Sequence, residues 1–225
     1  MIDLGDLKPD WQSDDGNVVL FNADCLDVLP QLPAGCVDAV VTDPPYGIGE
    51  HGGKCRTRSR PQYAKHENLG WDKSRPSPKV FRAILDLGVP SAIWGGNYFA
   101  DLLPPTMGWL YWRKRMGGDF SDGELAWTSE RRALKEFEKC PKGMNKTHPC
   151  EKPVSLIAWT MTRIRAKDAS TILDPFLGSG TTAVACVKTG RKCIGIEKER
   201  RYFDAAVERV QRAYADAGLF TGAIA

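Results

Sequence analysis

Apolar residues in this chain fall in short blocks, set apart by polar stretches that carry Gly and Pro. Residues 18–21 and 37–41 read as buried strands, the second running on into Thr42 and Asp43. Between them residues 25–32 read as a helix, with Asp24 as its N-cap and Pro30 and Pro33 near its end. From 44 to 78 no periodicity survives, and a loop of that length in a compact domain is either functional or disordered. Regularity returns as a helix over 79–87, a strand over 92–94, a helical segment over 97–103, and strands over 109–112 and 125–127. A second irregular, charged stretch spans 129–147. Pro153 opens a helix over 154–165, followed by a strand at 171–173 and a Gly loop. A helix at 181–189, a strand at 192–196 and a long helix at 200–217 complete the chain.

Strands alternating with helices predict an α/β domain whose mostly parallel sheet is covered on both faces. A chain of 225 residues holds one such domain with a sizeable core, so 1–225 is read as a single domain. Ligands bind such sheets at the carboxyl ends of the strands. Two strand ends here carry unusual chemistry: Asp43-Pro44-Pro45-Tyr46, and Asp174 leading through Phe176 into Gly178-Ser179-Gly180-Thr181.

Composition narrows the choices. The 7 cysteines are an odd set with no C-x-x-C pair, which speaks against a disulfide framework and a four-ligand zinc site. His51, Cys55 and His66 fall short of a ligand set, so no metal is expected. No apolar run approaches the roughly 20 residues of a membrane span, and a cytoplasmic protein without membrane contact is expected. The net charge of +3 does not by itself announce a nucleic-acid binder. Its distribution is more telling: Arg56, Arg58, Arg60, Lys65, Lys73 and Arg75 lie between Lys54 and Lys79 against only Glu67 and Asp72, and Arg113-Lys114-Arg115 form a second cluster.

The Gly loop lets backbone pass close to a ligand, and the following helix offers free N–H groups. Glu197, at the end of the next strand, is placed to accept from ribose hydroxyls. Gly178, Gly180 and Ala183 also satisfy a loose dinucleotide fingerprint, which keeps a nicotinamide dehydrogenase as an alternative. That fingerprint normally opens its domain, however, and Asp174 ahead of the glycines suits a ligand bearing an ammonium group better.

Asp-Pro-Pro-Tyr fits chemistry on an exocyclic amino group. Such a nitrogen is a poor nucleophile because its lone pair is delocalised into the ring. The Asp43 carboxylate and the Pro44 carbonyl can accept its hydrogens and turn the lone pair outward, and the prolines hold that carbonyl in place. Asp43 can also take the released proton. Tyr46 offers a ring for an extruded base, a contact worth roughly 1–3 kcal/mol. Pro149-Cys150 is similar to the nucleophile pair of enzymes that methylate ring carbon, but no strand precedes it, and Cys150 is read as incidental.

In order along the chain, these motifs resemble those of the DNA amino-methyltransferases in which the catalytic motif precedes the cofactor motif. Asn22-Ala23-Asp24-Cys25-Leu26, Asp43 to Tyr46, His148 to Pro153, Asp174 to Thr182 and Gly195-Ile196-Glu197 carry the resemblance, which extends from Asn22 to about Arg212. It implies a Rossmann-like methyltransferase fold, a seven-stranded sheet circularly permuted so that the first cofactor strand comes late. It further implies S-adenosylmethionine as cofactor and N6 of adenine in DNA as target, with cytosine N4 the alternative. Asp24 and Cys25 would lie near the adenine ring of the cofactor and Glu197 on its ribose. Asp174, Phe176, Gly178, Ser179, Gly180 and Thr181 would line the methionine end, and Lys152 would meet its carboxylate. Asp43, Pro44, Pro45 and Tyr46 would be catalytic. Target recognition would rest on insertions at about 47–78 and 113–147. Residues 92–99 are similar to the turn after the catalytic motif in small phage-type members, with Asn97 able to reach the site. A homodimer and a separate restriction nuclease stay open as partners. So does a non-enzymatic DNA-binding protein with a relict site, against which the intact motifs speak.

The basic stretch 54–79 leaves directly from the catalytic turn and is expected to contact DNA phosphates, with Tyr63 or Trp71 filling the gap left by the extruded base. Replacing Arg56, Arg58 and Arg60 together with alanine should weaken DNA binding on all sequences alike. The salt slope should flatten by about one unit per lost contact. Binding isotherms at several salt concentrations measure this, and an unchanged slope would mark the stretch as an ordinary solvated loop.

Overall fold

The computed structural model describes residues 1–49, 72–115, 121–140, 151–166 and 170–221. Five parallel strands form the centre of the sheet: β2 (Val18–Phe21), β3 (Ala39–Thr42), β4 (Ser91–Trp94), β8 (Thr171–Asp174) and β9 (Lys192–Ile196). They stand in the order β2-β9-β8-β3-β4. Beyond β4, β6 (Gly123–Thr128) runs antiparallel, then β5 (Trp109–Arg113) antiparallel to β6. These seven are the expected sheet. Two edge strands missing from the sequence reading extend it to nine: β1 (Trp11–Gln12) beside β2, and β7 (Lys135–Glu138) beside β5. Both are short and at least half polar, so neither announces itself by an apolar run.

Every residue of β2, β3, β4 and β8 is buried, because helices cover both faces. The side chains divide with the two-residue period of a strand. Val18, Leu20, Ala39, Val41, Ala92, Trp94, Ile172 and Cys193 pack with α3 (Val154–Arg163), α4 (Thr181–Lys188) and α5 (Arg200–Thr221). Val19, Phe21, Val40, Ile93, Leu173, Ile194 and Ile196 face α1 (Cys25–Val28) and α2 (Pro78–Asp86). Ile2 and Leu4 join the second layer, so the polar N-terminal segment is pinned to the core.

Two segments expected to be helical are tighter than the pattern suggested. Pro30 has no N–H to donate, and the α1 helix gives way to a 3-10 turn at Leu29–Gln31. The segment after β4 is likewise a 3-10 turn, Gly96–Phe99, entered through left-handed Gly95 at φ 70°. Of the two stretches assigned to target recognition, 50–71, 116–120 and 141–147 lie outside the described residues. Within the second, β6 and β7 belong to the sheet.

Because the central strands are parallel, the ends of β2, β9, β8, β3 and β4 open on one edge. Antiparallel β6 begins at that same edge. The switch point lies between β8 and β3: the chain passes from β8 through α4 to β9 on one side, while β3 flanks β8 on the other. Gly180 makes the close packing of α4 and α5 possible. Its φ is 85°, and a Cβ there would lie 2.9 Å from the Ala206 Cα of α5. Gly178, at φ 56°, would meet nothing within 4 Å. Gly180→Ala should therefore lower unfolding free energy by about 2 kcal/mol or more, and Gly178→Ala by only about 1 kcal/mol. Denaturant titration of both variants checks the order.

Candidate active site

β3 and β8 deliver their acids side by side. Thr42, the last residue of β3, donates its hydroxyl to Asp174 Oδ1 at 2.7 Å, and the Phe176 amide donates to the same oxygen at 3.1 Å. Burial pushes the Asp174 carboxyl up to about 6 against those hydrogen bonds. One strand over, burial pushes Glu197 up to about 7, while the Glu199 and Gly178 amides, each at 2.8 Å, orient its oxygens. Glu197 is thus tied to the Gly loop it was expected to complement. Asp24 caps α1 through the Leu26 amide at 3.0 Å and pairs with Lys198 at 3.0 Å, while burial pushes the Cys25 thiol up to about 12. Asn22 joins the ends of β2 and β9 by donating to the Glu197 carbonyl at 2.9 Å.

On the Asp43 turn the geometry is denser. Tyr46 Oη donates to Asp43 Oδ1 at 2.7 Å and lies 3.4 Å from Glu124 Oε2. Lys152 Nζ, on a side chain only 5% exposed, pairs with Asp43 Oδ2, with Glu124 Oε2 at 3.1 Å, and with Tyr46 Oη at 3.0 Å. Lys114 pairs with the other oxygen of Glu124. Burial raises the Asp43 carboxyl, Lys152 opposes that, and the Glu124 charge adds to it. Lys152, expected to meet a cofactor's carboxylate, thus pairs with the Asp43 turn. Pro44 and Pro45 fix the backbone between Asp43 and Tyr46.

Tyr46 is enclosed as well as bonded. A Cβ on Gly95 would lie 2.0 Å from its ring, so only glycine fits after β4. Tyr98 stacks on Tyr46 with centroids 4.7 Å apart and 16° between planes. A base using that face must displace the Tyr98 ring. The backbone of the turn is clamped by Arg75, which donates to the Tyr98 carbonyl at 2.8 Å and pairs with Asp101 at 2.7 Å. Arg75, counted with the basic stretch, is thus engaged within the protein. Asp72, within that stretch, accepts from the Gly47 amide at 2.7 Å.

Three residues that touch these groups carry no sequence signal of their own: Glu124, Glu151 and Arg209. Arg209 of α5 donates to the Ser179 carbonyl at 2.6 Å and to Ser179 Oγ at 2.7 Å, and lies 3.4 Å from Thr181 Oγ1. Its other nitrogen pairs with Glu151 at 2.6 Å. The Gly loop and the residue before Lys152 are thereby one unit. Among the described residues no group of His, Cys, Asp and Glu could hold a metal, and no helix is long and apolar enough to cross a membrane.

Residues 65–208 match the N6/N4 family of DNA methylases. The chain belongs to that family. Relatives agree in extent as well as kind. The Type II methyltransferase M2.MboI of Moraxella bovis is 23% identical over 259 residues, covering 90% of this methylase and 91% of its own length. In fold, the methylase resembles M1.HpyAVI in its SAM complex, with TM-score 0.59, 23% identity, and 86% and 98% of the two chains covered. It also resembles the cytosine-N4-specific PvuII DNA methyltransferase, with TM-score 0.61, 15% identity, and 92% and 90% covered. The matched stretch begins beyond Asp43, so the reading of the Asp43 turn rests on its own geometry.

Lys152 is the only cation shown pairing with Asp43 among the described residues. Lys152→Met should cost about 3 kcal/mol at pH 8, because buried carboxylates lose their counter-charge. Loss of the ammonium raises the folded-state pKa of those carboxylates, so the penalty is largest while they are ionised and shrinks as acid neutralises them. Unfolding curves at pH 8 and pH 5 should converge toward wild type at the lower pH, and a pH-independent loss would refute this account.

Proposed function

We propose that this DNA methylase transfers a methyl group from S-adenosylmethionine to N6 of adenine in DNA, the base being flipped into the site. The observation that carries this reading is the juxtaposition of the Asp43 turn and the Gly loop at adjacent strand ends, bonded to each other through Thr42 and Asp174. The residues fit the cofactor. Open space lies over Gly178, the Glu197 carboxylate is held at the loop, and buried Asp174 stands where an ammonium group would be welcome. Asp24, Cys25, Glu197, Asp174, Phe176, Gly178, Ser179, Gly180 and Thr181 would hold it. Bound there, S-adenosylmethionine supplies an electrophilic methyl on a sulfonium that leaves as a neutral thioether.

The chain's own residues address the amino group. Asp43 and the Pro44 carbonyl accept its two hydrogens, which draws the lone pair out of the ring plane. As the nitrogen gains its methyl it becomes cationic. One N–H proton passes to Asp43, the bonding pair returns to nitrogen, and the neutral acid later gives the proton to solvent. Burial raises the proton affinity of Asp43, which suits it to that task. The preference for adenine rests on aspartate, in place of serine, at position 43 by family resemblance.

Asp43→Ala should bind S-adenosylmethionine near normally yet lose at least about 100-fold in turnover. Digesting treated DNA to nucleosides and weighing the product decides the base: N6-methyladenine is expected, and N4-methylcytosine would overturn the choice. Full activity in Asp43→Ala would sink the mechanism itself.

A further inference from the structure

Glu124 belongs to no motif, yet antiparallel β6 brings it to the catalytic edge. Trp94 at the end of β4 pairs with Ala126, so Glu124 stands two residues past that strand's end. There it meets the groups that hold Asp43. Its Oε2 lies 3.1 Å from Lys152 Nζ and 3.4 Å from Tyr46 Oη, and its Oε1 takes Lys114.

We propose that Glu124 is a positioning residue for transfer: it shares the Lys152 ammonium and the Tyr46 hydroxyl with Asp43, so that Asp43 keeps acceptor capacity for the amino group of the base. This rests on the reading of Asp43 as the group that addresses that amino nitrogen. An ammonium has three hydrogens, and a carboxylate about four acceptor positions. Held on Asp43 alone, Lys152 would neutralise it and lower its pull on a proton. Drawn between two carboxylates, the same ammonium keeps Asp43 ionised and correctly turned while leaving it basic.

The surrounding charges support this division. Asp43 is faced by Lys152 from the segment before α3, by Tyr46 on its own turn, by Glu124 on β6 with Lys114 of β5 behind it, and by Asp174 of β8 across Thr42. Two acids and two lysines make the core of this cluster neutral. Burial pushes Glu124 up, but Lys152 and then Lys114 outweigh it and hold it at about 2, so it is ionised throughout the working range. Its negative charge raises Asp43. Removing that charge must lower the proton affinity of Asp43.

The test is the pH profile of single-turnover methyl transfer on duplex DNA for wild type, Glu124→Gln and Lys114→Met. Glu124→Gln should move the acid limb to lower pH by about half a unit or more, since an ionised neighbour is gone. Its plateau should drop about 10-fold with S-adenosylmethionine affinity within about two-fold. Lys114→Met strips a positive charge from behind Glu124, so its acid limb should move to higher pH. This opposite shift keeps the test decisive should Glu124→Gln fold poorly. Limbs that stay in place in both variants overturn the proposal, whether rates fall with stability or do not fall at all. Asp43→Asn, run alongside, separates the two ideas. If it remains active, the reading of Asp43 itself fails. If it is inactive while the limbs do not move, only the role of Glu124 fails.

Discussion

Ending a central strand in a carboxylate is costly unless something answers the charge, and two such ends lie side by side where β3 pairs with β8. Thr42 answers one by donating to Asp174, and Lys152 answers the other at Asp43. These contacts do more than satisfy buried groups. They fix the spacing between a turn that can address an amino nitrogen and a loop that can hold a charged ligand. Parallel pairing supplies the direction, because it sends both ends to the same edge. Break the β3–β8 register by one residue and Thr42 would face the other side of the sheet.

A second coupling works at longer range. Arg209 binds the Gly loop with one nitrogen and Glu151 with the other. Glu151 is the immediate neighbour of Lys152, so α5 links the loop to the ammonium that pairs with Asp43. A carboxylate and guanidinium as buried as these are weak sources of net stability, since desolvation offsets most of their attraction. Their value is geometric. Two segments far apart in sequence, the entrance to α3 and the entrance to α4, are held in one arrangement by a fork with fixed angles.

Much of this was legible from residue order. The mostly apolar runs at 18–21, 171–173 and 192–196 became strands with little change, because a parallel strand covered on both faces is largely apolar. Asp43 and Asp174 stood out since carboxylates rarely close such runs. Less legible were contacts whose partners lie far apart in the chain. Glu124 reads as an ordinary polar residue opening a strand, and nothing local tells that β6 runs against its neighbours and so begins where the others end. Arg209 sits in a helix full of charges and differs from Arg200 or Arg212 only by facing the Gly loop. Lys152 stands out by its motif, but its pairing with Asp43 is a matter of angstroms that spacing along a chain cannot supply.

The Tyr46–Tyr98 stack adds a last constraint on how the site works. Tyr46 cannot shift toward β4, because Gly95 already touches its ring and only the missing Cβ makes room. Its hydroxyl is fixed on Asp43 and Lys152. The Tyr98 ring, by contrast, belongs to an exposed residue whose backbone alone is clamped by Arg75. A base that used this face would therefore displace the Tyr98 ring and leave Tyr46 in place. The cost is modest, since one aromatic contact replaces another and the stacking of a base is worth at least as much as that of two tyrosines. Asp43 and Tyr46 need not move for the base to be received. On the proposed reading, the acceptors that would address its amino group stand in place before it enters, which is the condition under which fixed dipoles lower a barrier instead of merely binding a substrate.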